Sequence, residues 1–148
     1  MAAQRDARVA GVTIEAPAWF PTDITSALDE KLGIEITDWN PERVVGRMPV
    51  QGNTQPYGLL HGGATCSLVE AVGSYAAALG AGPGAHVVGI ELNASYHLPA
   101  TKGHVTAVCT PLGSELPLAA FAIEVVDDHG QVTASARLTC MVRPARGA

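Results

Sequence analysis

Residues 55–74 have the sequence QPYGLLHGGATCSLVEAVGS, and this stretch decides the fold. Turn-forming residues precede His61, and the run after it continues to about residue 80. Apolar residues recur at four-residue intervals, at Leu60, Ala64, Leu68 and Val72. Because small or apolar residues also cover the neighbouring face, the pattern predicts a long helix that is buried on nearly all sides.

Runs rich in β-branched residues lie on both sides of this helix. They cover residues 33–39, 43–50, 86–97, 103–111, 116–127 and 131–142. In the run 86–97, apolar residues from Val88 to Tyr96 alternate with polar ones, which predicts one buried and one polar face. Short connections, such as the hairpin turn at residues 127–130, favour an antiparallel sheet. The chain therefore has an α+β plan with a mainly antiparallel sheet.

The chain of 148 residues has the usual size of one domain. Residues 1–20 are polar and are predicted to form a loosely held, flexible N-terminal arm before a single domain over residues 21–148. A short helix is predicted over residues 22–32, capped by Thr22 or Asp23.

Composition excludes several classes of protein. Apolar residues make up 47% and charged residues 16% of the chain, which is therefore expected to fold and to associate with itself. The net charge of −5 provides no positive field for nucleic acid or a membrane surface. Three cysteines without CxxC spacing fit neither a disulfide framework nor a thiolate metal site, so a cytoplasmic location is expected. No stretch is long and apolar enough for a spanning helix.

Glu70 is the only Asp, Glu, Lys or Arg between Met48 and Ile90. An unpaired carboxylate in an apolar setting costs several kcal/mol, so Glu70 requires an explanation. It lies on an exposed stripe of the helix, it binds a structural partner, or it is a catalytic carboxylate. Ser74, four residues later on the same face, either orients this carboxylate or bonds back to a helix carbonyl.

His61, Gly62 and Gly63 stand where the helix begins, so their N–H groups lack partners within the helix. The two glycines allow a ligand to approach these amides, as in an oxyanion hole, although a glycine-rich turn capped by His61 gives the same sequence. Gln55 and Asn53 in the preceding loop can add side-chain donors. Motifs of triad hydrolases, phosphate-binding loops and zinc proteases are absent, and the scattered histidines do not favour a metal site.

Residues 55–74, followed by VVGIELNASYHLPATKGHVTA at residues 87–107, resemble the hotdog-fold acyl-CoA thioesterases. The resemblance is to the branch of Glu-type 4-hydroxybenzoyl-CoA thioesterases and phenylacetate-pathway thioesterases. It implies a long central helix wrapped by the sheet, two subunits joined edge to edge with the site at their interface, and a tetramer of such dimers. It also implies hydrolysis of an aryl- or medium-chain acyl-CoA to the free acid and CoA, without a metal or organic cofactor.

By position, Glu70 matches the family's catalytic carboxylate, which acts as nucleophile or as base toward water. Gly62 matches the residue whose backbone N–H polarises the thioester carbonyl. The other catalytic positions match Gln55, His61 and Ser74. The remaining substrate-binding residues are expected to be Gly63, Asn53, Tyr57, Lys102, Ser114, Arg143 and Arg146.

The resemblance implies that Arg143 and Arg146 bind the CoA phosphates, together with Ser114 in the matching Gly-Ser turn. Relatives often carry Arg where this chain has Leu98, and Lys102 is the expected substitute. Two other functions remain open at this point. One is a non-catalytic acyl-CoA-binding module that uses the same pocket, and the other is a hotdog dehydratase of hydroxyacyl thioesters.

Overall fold

A computed structural model describes residues 12–23 and 26–145, in which one long helix packs against a single six-stranded sheet. The elements in chain order are α1 (Ala27–Leu32), β1 (Glu35–Asn40), β2 (Arg43–Pro49), α2 (Gly62–Ala81), β3 (His86–Tyr96), β4 (His104–Glu115), β5 (Leu118–Asp127) and β6 (Val132–Arg143). The sheet order is β1-β2-β4-β5-β6-β3, and every neighbouring pair is antiparallel. This confirms the predicted α+β plan and leaves β1 and β3 as the two edge strands.

The core lies between α2 and the sheet. Fully buried residues of α2, including Leu68, Val69 and Val72, pack against valines and other apolar side chains of the central strands. The helix approaches the sheet closely, since a Cβ added at Gly73 would overlap the Leu138 side chain of β6. A Cβ added at Gly46 of β2 would likewise overlap Val72. Glycine at these contacts sets the distance between helix and sheet.

The short first helix begins later than predicted. Ser26, in an extended conformation, is its N-cap, and its hydroxyl accepts a hydrogen bond from the Asp29 N–H at 3.3 Å. The proposed cap at Thr22 or Asp23 is therefore wrong, because these residues form a turn ahead of the helix, with residues 24–25 outside the described part. The helix ends at Gly33, whose φ of 70° suits glycine.

The predicted buried face of β3 is only partly correct. Val88 and Ile90 are 60% and 51% exposed, because β3 is an edge strand and its register against β6 shifts between Gly89 and Glu91. Such a bulge changes which residues face the core. Gly89 therefore faces α2 before the bulge, whereas Leu92 does so after it.

Residues ahead of α1 contact the edge of the sheet at β1. The Trp39 N–H donates to the Ile14 carbonyl, and the Ile14 N–H donates to Asp38. The Phe20 ring lies 5.0 Å from that of Trp39 and 6.0 Å from that of Tyr75, between centroids. The second half of the predicted arm is thus anchored on the domain, and residues 1–11 lie outside the described part.

Two glycines of α2 provide a matched test of the helix–sheet distance. Gly73→Ala should lower the free energy of unfolding by about 1–3 kcal/mol, because the added methyl group overlaps Leu138. Gly80→Ala should raise it by about 0.5–1 kcal/mol, because no atom lies within 4 Å of the added Cβ and alanine favours the helix. Urea unfolding of both variants measures the difference. Equal effects at the two positions would contradict the close packing.

Candidate functional site

One stripe of α2 is left partly exposed. Cys66, Glu70 and Ser74 lie on it at four-residue spacing, whereas the other faces of the helix are buried. The expectation of burial on nearly all sides therefore holds for most of the helix but fails along this stripe. The stripe lies beside the edge strand β3, whose Gly89 touches the Glu70 carboxylate.

The Glu70 carboxylate is half-buried between α2, β3 and β6. The Ser74 hydroxyl donates to Glu70 Oε1 at 3.4 Å, so the predicted pairing of these side chains is present. A Cβ at Gly89 would overlap the carboxylate where it now lies, so glycine leaves the space that the carboxylate occupies. Within residues 12–23 and 26–145, no cation forms an ion pair with Glu70. Only a neutral hydroxyl partners this carboxylate in the described chain, and a structural ion pair does not explain it.

Cys140 lies next to this carboxylate and does not compete with it as a nucleophile. Burial, and secondly the negative charge of Glu70, raise the pKa of the Cys140 thiol to about 11. A thiol with such a pKa stays protonated near neutral pH, and the thiolate is the reactive form. The Cys140 thiol is therefore not available as a nucleophile beside Glu70 near neutral pH.

A cavity of about 460 Å³ opens beside Glu70. Its walls come from α1, α2 and β3: Ser26, Leu28, Asp29, Cys66, Ser67, Glu70, Ala71, Ser74, Tyr75 and Leu92. The volume falls within the roughly 300–1,000 Å³ range of small-molecule sites. We call this space the Glu70 cavity.

The start of α2 leaves one amide free. The His61 ring accepts a hydrogen bond from the Gly63 N–H at 2.8 Å, so His61 is the predicted cap. The N–H groups of Ala64 and Thr65 donate to the His61 carbonyl at 3.0 and 3.1 Å. Within the described residues, the Gly62 N–H has no acceptor. The first turn thus presents a single donor, at the positive end of the helix dipole.

A second cavity, of about 330 Å³, contains this donor. It is lined by Gln55, Leu59, Leu60, Gly62, Thr65, Tyr96, His97, Leu98, Pro99, Ala100 and Thr133, and we call it the Gly62 cavity. The Gln55 side-chain oxygen accepts from the Tyr57 N–H, while its amide nitrogen has no acceptor in the described part of the chain. Gln55 thereby provides a second N–H donor beside Gly62.

The loop before α2 is held by Asn53. Its buried side-chain amide donates to the carbonyls of Leu32 and Pro49 at 2.7 and 2.8 Å. The backbone carbonyl of Asn53 accepts a hydrogen bond from the His61 N–H. Asn53 thus supports the loop from within. The Tyr57 side chain, predicted to contact substrate, is 88% exposed and lines neither cavity.

Tyr96 is a site residue that the sequence did not reveal. Its hydroxyl donates to the Gly62 carbonyl at 2.9 Å and lies 3.2 Å from the Cys66 sulfur. The Cys66 contact, followed by burial, raises the pKa of Tyr96 to about 12, so the phenol stays protonated as a donor. The β3 alternation assigned Tyr96 to the face of Leu92, but no sequence signal places it against Gly62.

Of the residues predicted to bind CoA phosphates, Arg143 and Ser114 lie toward one end of the sheet and Lys102 lies toward the other. Arg143 is exposed at the end of β6, opposite His86, and lines a groove of about 750 Å³. Ser114 is exposed in β4, and Lys102 lies in the loop that follows β3, at the end far from Arg143. Arg146 lies outside the described residues. The described chain does not gather these groups into one cluster.

The predicted oxyanion donor, Gly62, and the predicted catalytic carboxylate, Glu70, also lie apart. Gly62 and Glu70 are eight residues apart on α2, which corresponds to about 12 Å along the axis at 1.5 Å per residue. A reacting carbonyl must lie about 3 Å from both its oxyanion donor and its attacking group. Gly62 and Glu70 of one chain therefore cannot act on the same thioester.

Residues 12–23 and 26–145 contain no group of three or more His, Cys, Asp or Glu side chains arranged to hold a metal ion. In the same residues, no helix has the length and hydropathy needed to cross a membrane.

Comparisons with known proteins agree with this geometry. The proofreading thioesterase EntH of Cronobacter turicensis is 40% identical over 116 residues, covering 78% of this chain and 85% of that protein. A thioesterase structure from Haemophilus influenzae has a TM-score of 0.78 at 32% identity, covering 82% of this chain and 86% of that one.

A thioesterase enzyme from Staphylococcus aureus, solved as a glutamine-to-alanine variant, has a TM-score of 0.76 at 27% identity and covers 80% of this chain and 100% of that one. The same protein was also solved with a glutamate replaced by alanine. The profile of the thioesterase superfamily matches residues 57–134, more than half of the sequence. The chain therefore belongs to the thioesterase superfamily, has the hotdog fold and is a thioester hydrolase.

Proposed function

We propose that the protein is an acyl-CoA thioesterase that hydrolyses an aryl- or medium-chain acyl-CoA to the free acid and CoA. One observation carries the proposal: among the described residues, the first turn of α2 leaves the Gly62 N–H unpaired, and Ser74 is the one hydrogen-bond partner of the Glu70 carboxylate in its cavity. A free amide at a helix N-terminus suits a developing oxyanion, and the carboxylate suits attack or base catalysis.

The spacing of Gln55 and Glu70 supports their roles. In the Staphylococcus aureus thioesterase, the glutamine and the glutamate that were replaced lie fifteen positions apart in its sequence. Gln55 and Glu70 have the same separation. We infer that Gln55 lies near the thioester carbonyl with its free amide N–H groups, as the Gly62 N–H does.

The active site requires two copies of the chain. Gly62 lies against Tyr96 at the end of β3, and Glu70 lies against Gly89 near its start. If two β3 edges pair antiparallel about a two-fold axis near Leu92, the Tyr96 end of one strand lies opposite the Gly89 end of the other. Gly62 of one subunit then faces Glu70 of its partner, which removes the 12 Å separation found within one chain.

The exposed edge of β3 supports this pairing. Val88 and Ile90 are both more than half exposed there, although the alternation of apolar and polar residues in β3 is typical of a strand with one buried face. An unpaired, apolar edge strand is a site for pairing with another chain. A dimer is therefore the minimum active unit, and a tetramer of two such dimers is the larger assembly that we propose.

In the reaction, the thioester carbonyl oxygen accepts hydrogen bonds from the Gly62 N–H and the Gln55 amide, which stabilise the negative charge that develops on it. Glu70 of the other subunit either attacks the carbonyl carbon, forming an anhydride that water cleaves, or removes a proton from the attacking water. The Ser74 hydroxyl holds the carboxylate in place. The carbon–sulfur bond breaks, CoA leaves as a thiolate and takes up a proton, and the acid is released.

The alternative functions receive less support. A binding module without turnover would not need a carboxylate whose one partner among the described residues is a hydroxyl, together with a free amide at the start of the same helix. A dehydratase would use a histidine as its base, whereas the His61 ring accepts a hydrogen bond from Gly63 and caps the helix.

Replacing the carboxylate tests the proposal most directly. Glu70→Gln should reduce turnover of the best acyl-CoA by about 10³-fold or more, because the amide neither attacks nor accepts the proton. Thiol release monitored over a panel of acyl-CoA substrates measures the effect. Glu35→Gln on the far edge strand is the matched control and should retain the parent rate. A Glu70→Gln enzyme with near-parent turnover would show that the carboxylate is structural.

Mixing two inactive variants tests the shared site. Gly62→Pro removes the oxyanion amide at a helix position that tolerates proline, and it should be inactive. When this variant exchanges subunits with Glu70→Gln, half of the dimers contain one copy of each variant. Each of these mixed dimers has one intact site out of two, so activity should recover to about a quarter of the parent value. If Gly62→Pro does not fold, Gln55→Ala replaces it. No recovery in verified mixed dimers would contradict a site built from two subunits.

The proposed role of Arg143 in binding CoA can be measured separately from cleavage of the thioester bond. Arg143→Ala should raise KM for the CoA ester by about 10-fold, corresponding to a lost charge-assisted hydrogen bond, with little change in kcat. A pantetheine thioester lacks the nucleotide phosphates, and its KM should stay unchanged. Steady-state kinetics on both substrates measures the difference, and Arg146→Ala is assayed in parallel. Equal losses on the two esters would assign Arg143 to the fold or the interface.

A further inference from the structure

The phenol of Tyr96 occupies the place where a side chain of Gly62 would lie. A Cβ built at Gly62 would be 2.9 Å from the Tyr96 hydroxyl oxygen and 3.0 Å from the ring carbon that carries it. The backbone of Gly62 is not in the left-handed region, so its conformation alone does not require glycine. A side chain at position 62 would push the phenol away, so glycine keeps the phenol against the first turn of α2. The catalytic proposal does not use this contact.

The Tyr96 hydroxyl binds the peptide group that follows Gly62. It donates to the Gly62 carbonyl at 2.9 Å, and the Cys66 sulfur lies 3.2 Å from the same hydroxyl oxygen. The Cys66 contact, followed by burial, raises the pKa of Tyr96 to about 12, so the phenol remains a donor near neutral pH. The distance to the carbonyl is that of a normal hydrogen bond.

Other contacts hold the neighbours of Gly62, whereas Tyr96 provides the side-chain contact to Gly62 itself. The His61 N–H donates to the Asn53 carbonyl at 2.8 Å, and the His61 ring accepts from the Gly63 N–H. These two contacts tie the start of α2 to the preceding loop, and Tyr96 ties it to β3. In the proposed dimer, the partner's catalytic carboxylate arrives along the same strand. The contact from β3 therefore fixes the free amide relative to that carboxylate.

We propose that Tyr96 is a positioning residue that holds the Gly62 N–H at the point where the thioester carbonyl oxygen develops negative charge. The inference rests on the proposed acyl-CoA thioesterase function. Tyr96 acts through Gly62, and its hydroxyl makes no bond to the substrate. Because the oxyanion forms only as the reaction proceeds, loss of the hydroxyl should slow turnover more than it weakens substrate binding.

Removal of the hydroxyl tests the inference. Tyr96→Phe should lower kcat for the best acyl-CoA by about 5–10-fold, the factor expected for one neutral hydrogen bond, with KM nearly unchanged. Ser95→Ala removes a hydroxyl from the adjacent residue of β3, which lines neither cavity, and should keep the parent kcat. Steady-state kinetics measures both constants, and sedimentation shows whether each variant forms the dimer. A rise in KM alone, or loss of the dimer, in Tyr96→Phe would overturn the inference.

A second variant reaches the same contact from the other side. Gly62→Ala keeps the backbone N–H but adds the methyl group that displaces the phenol, so it should also lower kcat. The double variant with Tyr96→Phe should lose little more than the stronger single variant, because both changes break one contact. Losses that multiply in the double variant would show that the two residues act independently, which would overturn the inference.

The carbonyl stretching frequency of a bound thioester reports the oxyanion contact directly, because hydrogen bonds to a carbonyl lower it. Benzoyl-CoA labelled at its carbonyl carbon is bound to Glu70→Gln, with and without Tyr96→Phe, and studied by infrared difference spectroscopy. The Glu70→Gln complex should absorb below free benzoyl-CoA, and Tyr96→Phe should move the band back toward the free value. A band that Tyr96→Phe leaves in place would overturn the inference alone. A band at the free value in both complexes would contradict the oxyanion site and the inference together.

Discussion

Close contact between α2 and the sheet is the constraint on which the rest of the structure depends. The helix can approach β2 and β6 only because Gly46 and Gly73 lack side chains at the contacts. A third glycine, Gly89 on β3, lets the Glu70 carboxylate lie directly against the edge strand. With its other faces packed, α2 has one stripe for polar groups, and that stripe follows the open edge of the sheet. The position of the site is thus a consequence of packing.

The same geometry keeps the two groups of the proposed site apart within one chain. An α-helix separates residues along its axis at a set rise, so the free amide of Gly62 and the carboxylate of Glu70 stay about two turns apart. A single subunit has both groups, but in two cavities. The open β3 edge that lies between their contact points, Tyr96 and Gly89, is also the edge at which a second copy can add. In the dimer that we propose, assembly and catalysis depend on the same strand.

Polar groups around the site follow a consistent electrostatic pattern. The Cys140 thiol near Glu70 and the Tyr96 phenol near Gly62 have raised pKa values and stay protonated, so neither adds a negative charge to these two places. In the part of the chain that the structure describes, the amide of Gly62 is left unpaired, whereas those of Gly63, Ala64 and Thr65 are bonded. A reacting thioester carbonyl needs both kinds of group, a carboxylate such as that of Glu70 and a free N–H donor such as that of Gly62.

The sequence by itself determined the elements and the chemistry of α2. Helical periodicity identified its extent, the glycine pair identified its start, and the isolated charge of Glu70 identified the carboxylate that we propose as the reactive group, because these signals are local. The bulge that exposes Val88 and Ile90, the cap at Ser26 and the contact of Tyr96 with Gly62 depended on strand register and on packing between distant segments. The entry of Asp29 into the cavity did so as well. Only the tertiary structure decided these features, because alternation and capping preferences restrict a residue to a face or a turn but do not specify its neighbour across the fold.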